Sequence, residues 1–410
     1  MATNRISRRR MLGGTISGFF AFAQRQNFAH LLAADTKPTG RAKRIVVLWM
    51  NGGPSQFETF DPKPGTGTGG GAESIETSVP GLRISSFLPE MAKQMNRLSV
   101  IRNLTSKEGE HERAQYYMHT GYALVGAFPR PSLGSIVSHE GPSSDIPACV
   151  SLGSRGFGPA YLGPEHAPFS IEDPADALEL LTNLRRRRGR LQFLQELGSE
   201  FDRLHGNEAL ARRRGMVTRI ERLMDTPFAR ALNVERESKS VRERYGDDFG
   251  RRCLTARRLL ESGVRFVEVQ HDGWDTHANN QNSVRELCQA IDRPWATLME
   301  ELSESGLLDD TIVLWMGEFG RTPRINAQAG RDHFPQVTPA VIGGGGLKSE
   351  QIVGSTNKNG TAIDGKTIGI ADLFATLLSQ SGIDPAKEFR TRFDSPAPAT
   401  DGGTSISELT

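Results

Sequence analysis

The amino-acid sequence predicts an α/β fold: a largely parallel central sheet flanked by helices on both faces, with one helical insertion. Three observations carry this. Short β-rich apolar runs alternate along the chain with amphipathic helical patterns. Several of those runs are apolar at nearly every position, as strands covered on both faces are. The 410 residues, 37% hydrophobic and 24% charged, suffice to bury one large core.

The first element is an address rather than part of the fold. Residues 1–34 place "SRRRMLGG" before the apolar run "MLGGTISGFFAFA", with small residues close by. A basic start, a short apolar run and small residues predict a twin-arginine export signal, and hence a periplasmic or extracellular protein. The run falls short of the ~20 residues of a membrane-spanning helix, and no later segment is apolar enough to span. The segment holds Arg5, Arg8, Arg9, Arg10 and Arg25 and no acid, so its removal takes the formal charge from +2 to −3. The charge therefore argues against a nucleic-acid partner.

Six core strands follow: "RIVVLWMN" (44–51), "LSVIRNL" (98–104), "PACVSLG" (147–153), "GVRFVEVQ" (263–270), "TIVLWMG" (311–317) and "PAVIGGGG" (339–346). Helical patterns lie between them, in "FLPEMAKQMN", "HERAQYYMHT", "SVRELCQAIDRPWATLMEELSES" and "GIADLFATLLSQSGI". Between about residues 172 and 260 the chain turns helical and arginine-rich, which predicts an insertion within the 40–392 domain. Arg185 to Arg188 read as a solvated helix face, with Leu191, Phe193, Leu194 and Leu197 turned inward. The glycine-rich "GTGTGGG" (65–71) does not join a strand to a helix, so it is a loop and not a phosphate cradle. Residues 393–410 are rich in Pro, Ala, Ser and Gly and predict a disordered tail. Cys149, Cys253 and Cys288 are odd in number and far apart, so buried thiols are expected rather than a disulfide framework.

Ligands of open α/β sheets gather beyond the carboxyl ends of the strands. Three strand ends here carry most of the polar residues suited to chemistry: Asn51-Gly-Gly-Pro-Ser after the first, "HDGWDTH" (271–277) after the fourth, and "GEFGRTPRIN" then "GRDH" after the fifth. Asp275 and His277 are two apart, so an extended backbone points both to one side. A carboxylate and an imidazole are half of a zinc or manganese site, and His333 and Glu318 are the natural completions. The competing reading makes Asp275 a turn cap and His277 a local hydrogen-bond partner. No nucleophile elbow, Walker loop or dinucleotide fingerprint is present, and Ser55 lacks the elbow's second glycine.

With those residues in place, the chain resembles a family of exported bacterial proteins, domain of unknown function 1501. The resemblance rests on "VVLWMNGGPSQFETFDPKPG", "VIRNLTSKEGEHERAQYYMHTGY", "YGDDFGRRCLTARRLLESGVRFVEV", "GWDTH", "LLDDTIVLWMGEFGRTPRIN", "GRDH" and "DLFATLLSQSGID". That family looks like a branch of the alkaline phosphatase and sulfatase superfamily. The resemblance implies a nucleophile opening a helix nine residues before Thr-Gly, and here that slot holds His111 before Thr120. It implies metal ligands at Asp275, His277 and His333. Asn51 stands in the place of a ligand aspartate, and Glu318-Phe319 in the place of Asp-His, so the second metal position has lost its usual donors. One divalent cation (zinc, calcium or manganese) is therefore expected, with His111 as nucleophile, acid/base or further ligand. Arg321 would neutralise an ester oxyanion or form a structural salt bridge. His119 is expected to be a packed core histidine.

Two functions follow. The first is an exported metal-dependent hydrolase of a phosphate or sulfate ester, its substrate a small molecule or glycan. The second is a non-catalytic descendant of the fold that binds a glycan or a protein partner.

Overall fold

The computed structural model describes residues 40–125, 128–189 and 223–410; the expected export signal and Leu191, Phe193, Leu194 and Leu197 lie outside them. The sheet is built from β1 (Arg44–Met50), β2 (Leu98–Thr105), β3 (Cys149–Leu152), β4 (Phe169–Ile171), β5 (Phe266–His271), β6 (Thr311–Met316), β7 (Thr338–Gly344), β8 (Ile352–Val353) and β9 (Ile368–Gly369). Its order is β8-β2-β7-β6-β1-β5-β3-β4, with β9 also on β2. All neighbours are parallel except β7, which runs antiparallel to both β6 and β2.

Each central strand sends alternate side chains into two apolar layers, which is why no position in it is polar by default. From β1, Val46, Leu48 and Met50 enter one layer, and Ile45, Val47 and Trp49 the other. The first layer is closed by α1 (Pro89–Gln94), the helix Phe249–Glu261 and the helix Asn280–Glu304, through Met91, Leu254, Leu259, Ile291, Trp295 and Leu298. The second is closed by α2 (His111–Thr120), α3 (Leu133–Glu140) and the helix Ile370–Gln380, through Met118, Ile136, Leu373, Phe374 and Leu377. Phe249–Glu261 thus belongs to the sheet-covering layer, although composition placed it inside the arginine-rich insertion. Among the described residues no helix is long and apolar enough to cross a membrane.

Two sequence expectations meet specific outcomes here. Arg185 and Arg188 pair with Asp225 on the solvent side of the helix Pro174–Arg186, as a solvated face does. The 393–410 tail is not disordered. Pro396–Pro398 pairs with Glu388–Arg390, and Ile406 and Leu409 are buried in the second layer. A few apolar anchors outweigh the composition of that segment. The three cysteines are buried free thiols.

At the end of β5, burial pushes the His271 imidazole down to about 4 from its ordinary 6.5, and Trp274 Nε1 donates to its Nδ1 at 3.0 Å. Between those pH values the unfolded chain holds a proton that the folded one lacks. Stability therefore falls as pH drops through this window, by at most about 1.4 kcal/mol per pH unit from this group. Urea unfolding from pH 7 to pH 4 is expected to show this slope in the wild type and a flatter one in His271→Gln. Parallel curves for the two proteins would remove His271 from the account.

Candidate metal centre

The strand ends converge as the open-sheet rule requires. β1 ends at Asn51-Gly52, where Gly52 has φ +117° and its missing Cβ would lie 2.4 Å from Asp275 N. Only glycine lets the first strand's turn pass so close to the 272–277 loop. Gly330 has the same role on the other side, since a Cβ there would fall 1.8 Å from His277 O. The loop after β6 carries Glu318 and then Arg321. A short antiparallel pair, Gly320–Arg321 with His333–Phe334, folds it back so that His333 faces Asp275. α2 brings His111 in at its first residue, with Glu110 as N-cap.

Three imidazoles and one carboxylate meet there. His277 Nε2 lies 2.9 Å from His333 Nε2 and 3.2 Å from Asp275 Oδ1. His333 Nε2 lies 3.3 Å from Asp275 Oδ1, and His111 Nε2 3.4 Å from Asp275 Oδ2. Ligand atoms of His111, Asp275 and His333 all fall within 4.8 Å of one another. The other ring nitrogen of each histidine faces an oxygen. His111 Nδ1 is 2.9 Å from Glu318 Oε1, His277 Nδ1 is 2.9 Å from Asp332 Oδ1, and His333 Nδ1 is 2.8 Å from the Gly109 carbonyl. Those oxygens accept from Nδ1–H, which leaves the three Nε2 lone pairs turned toward Asp275, with those of His277 and His333 also facing each other. Lone pairs so placed repel unless a proton or a cation lies between them. His111 Nε2 is moreover buried without a hydrogen-bond partner.

These residues fit a divalent cation. A tetrahedral shell with metal–nitrogen bonds of about 2.0–2.1 Å has ligand–ligand edges of about 3.3–3.4 Å, close to the 3.2–3.4 Å that separate the three Nε2 atoms from the Asp275 oxygens. Three imidazole nitrogens and one carboxylate oxygen suit zinc or manganese, whereas calcium takes six to eight oxygens.

The electrostatics agree with this arrangement. Burial raises the Asp275 carboxyl, but the hydrogen bond and charge of Arg321 outweigh it and bring the group to about 2, so it stays ionised. Burial lowers His333, keeping its ring neutral near pH 7. The hydrogen bond to Glu318 raises His111.

Several residues stand in other roles than the sequence suggested. Glu318, expected among the ligands, is fully buried, and its Oε1 is occupied by Gly52 N–H at 2.9 Å and by His111 Nδ1 at 2.9 Å. Asn51 is held by both ends of its amide, donating to Asp272 and accepting from Gln115 at 2.8 Å each. Arg321 is fully buried and bonds the carbonyls of Gly52, Gly53, Trp274 and Arg331 as well as Asp275 at 2.7 Å. Of its two expected roles the structure shows the salt bridge. The N-terminus of α2 is filled by the Glu110 side chain, which accepts from Glu112 N and Arg113 N. His111 opens α2 as expected, and it stands with Asp275 and His333 in a group that could hold a metal ion. His119 is a packed core histidine, as expected, stacked on Phe157 at 4.3 Å.

Sequence reasoning missed Asp332. It stands in "GRDH" just before the strand His333–Phe334, and its carboxylate accepts from His277 Nδ1 at 2.9 Å.

The chain belongs to the family described as "Protein of unknown function (DUF1501)", whose model matches residues 42–410. No curated protein matches it. Solved structures similar to it include the lipoteichoic acid synthase LtaP from Listeria monocytogenes (10% identity, 91% of this chain and 77% of that one, TM-score 0.43). They also include a protein in the alkaline phosphatase superfamily from Vibrio parahaemolyticus (12%, 84% and 67%, 0.37) and PsFucS1 sulfatase from Pseudoalteromonas sp. (14%, 85% and 69%, 0.39). Likenesses this distant carry no argument about activity or substrate.

Proposed function

We propose that this DUF1501 protein is an exported metal-dependent hydrolase of phosphate or sulfate esters. One observation supports the reading: three imidazoles, each with its Nδ1 facing an oxygen acceptor, have their Nε2 atoms 3.2–3.4 Å from the Asp275 carboxylate. His111, His277, His333 and Asp275 hold the cation, and zinc matches the donor set better than calcium. A divalent cation there supplies a Lewis acid for an ester oxygen and an ionisable water near pH 7.

The chain's own residues divide the remaining work. Glu318, Asp332 and the Gly109 carbonyl fix the ring orientations, and Arg321 fixes Asp275. Asp275 and His277 are 46% and 44% exposed while Glu318 is wholly buried, so an ester approaches from the His277 side. With His111 held as a ligand, no side-chain nucleophile is invoked, and attack falls to water. Asp332, 57% exposed at that open edge beside His277, would accept the proton the water sheds. A small-molecule or glycan ester suits a site open on the His277 side, and the twin-arginine-like start supports a reaction outside the cytoplasm.

A second reading is a non-catalytic binder of a glycan or protein partner. It is favoured by the carboxylate of Glu110 at the helix N-terminus, where an ester's negative charge would otherwise be met. Turnover separates the two. The zinc-loaded protein is expected to hydrolyse p-nitrophenyl phosphate or sulfate, and Glu318→Gln to bind zinc about 10–100-fold more weakly. Full zinc occupancy with no turnover of either ester would favour the binder. Zinc affinity unchanged in Glu318→Gln would remove that residue's orienting role.

A further inference from the structure

α2 lies against the sheet with a polar stripe at four-residue spacing: His111, Gln115 and His119. Residues four apart share a helix face, and each member of this stripe bonds a different part of the sheet. His111 meets Glu318 and Asp275 beyond the strand ends. Gln115 Nε2 donates to Asn51 Oδ1 at 2.8 Å, at the end of β1. His119 Nε2 lies 3.0 Å from Glu268 Oε2 in the middle of β5, and its Nδ1 lies 2.7 Å from the Gln115 carbonyl. Glu268 sits on a strand paired on both sides, opposite Val47 of β1 and Ser151 of β3.

The His119–Glu268 pair lies within the apolar second layer. His119 is 9% exposed and Glu268 5% exposed, and the histidine ring is clasped by Trp49 at 4.1 Å and Phe157 at 4.3 Å. Apolar side chains of similar size would fill the same space without the desolvation that two ionisable groups incur. What the pair adds is direction. Apolar packing tolerates a slide of the helix along the sheet, whereas a hydrogen-bonded pair anchored on a central strand does not. A metal ligand at the helix's first residue needs its position held to within about 0.5 Å.

We infer that His119 and Glu268 are positioning residues: they lock α2 axially on the sheet, so that His111 Nε2, two turns away, is set at the metal centre. The inference rests on the proposed cation site. It assigns a task to a buried pair that metal binding does not itself use.

The full chain carrying His119→Leu and Glu268→Leu together retains an apolar layer and lacks the lock. Zinc competition titration is expected to show it binding about tenfold or more weakly than wild type, in the range seen when outer supports of a metal site are lost. Glu268→Gln, whose amide oxygen still accepts from His119 Nε2–H, is expected to stay within about threefold of wild type. A double variant that folds and binds zinc as wild type does would overturn the inference. Should the double variant not fold, amide exchange of the wild-type chain decides. Coupling is reciprocal, so zinc is expected to slow exchange at Tyr117–Thr120 as well as at His111–Ala114. Slowing confined to the first turn would overturn it too. Wild type that binds no zinc sinks the cation site itself, a separate result from either of these.

Discussion

His333→Ala is expected to weaken zinc binding by well over the 10–100-fold that loss of an outer partner costs, and to abolish ester turnover. His333 Nε2 sits between His277 Nε2 at 2.9 Å and Asp275 Oδ1 at 3.3 Å, so its removal opens the shell at its centre. Its Nδ1 contact to Gly109 also ties the loop before α2 to the site, so His111 loses support at the same time. The fold should survive, because the ring is only half-buried and its strand pair is fixed by other bonds. Zinc titration followed by circular dichroism checks both halves. A variant with native spectra and unchanged zinc affinity would show that the four groups do not act as one site.

The second large effect concerns stability. Arg331 and Glu58 are both fully buried, with Nη2 2.8 Å from Oε1. Arg331 also donates to the carbonyls of Thr322, Pro323 and Thr68 at 2.7–2.8 Å, and its guanidinium lies 4.4 Å from the Phe57 ring centre. Arg331→Met would leave the Glu58 carboxylate without its cation and three carbonyls without a donor. Breaking a buried pair in this way costs about 3–5 kcal/mol. The loop from Arg321 to His333 would loosen with it, so zinc affinity should fall in parallel. Chemical unfolding is expected to show the loss, while Arg324→Met, at an exposed position of the same loop, should stay within about 0.5 kcal/mol of wild type. A loss under about 1 kcal/mol for Arg331→Met would contradict the account of this loop.

The parts of the fold that were legible in the sequence are those where burial imposes a pattern. Runs such as "RIVVLWM" and "TIVLWM" announce strands covered on both sides, and all six such runs are strands of the main sheet. Phe169–Ile171, Ile352–Val353 and Ile368–Gly369 were not legible, because two or three residues carry no period. The reversed direction of Thr338–Gly344 is set by the connections around it, which its composition does not record. In the tail, Ile406 and Leu409 are too sparse to register against proline and glycine.

The site was legible in its residue types more than in its roles. The i, i+2 spacing of Asp275 and His277 marked them, and His333 followed from "GRDH". Whether a given carboxylate ligates or orients depends on which atom it offers to which ring, and that is a tertiary fact. Glu318 illustrates it: placed with the ligands by its position after a strand, it is turned inward by the Gly52 amide and serves His111. The Gly109 carbonyl, as a backbone group, leaves no trace in the residue type at all.

The central claim is that His111, Asp275, His277 and His333 form one cation site. Metal content tests it most directly: the full chain, saturated with zinc and passed over a desalting column without chelator, is weighed for zinc by elemental analysis. The account predicts about one equivalent per chain. Less than a tenth of an equivalent would contradict it.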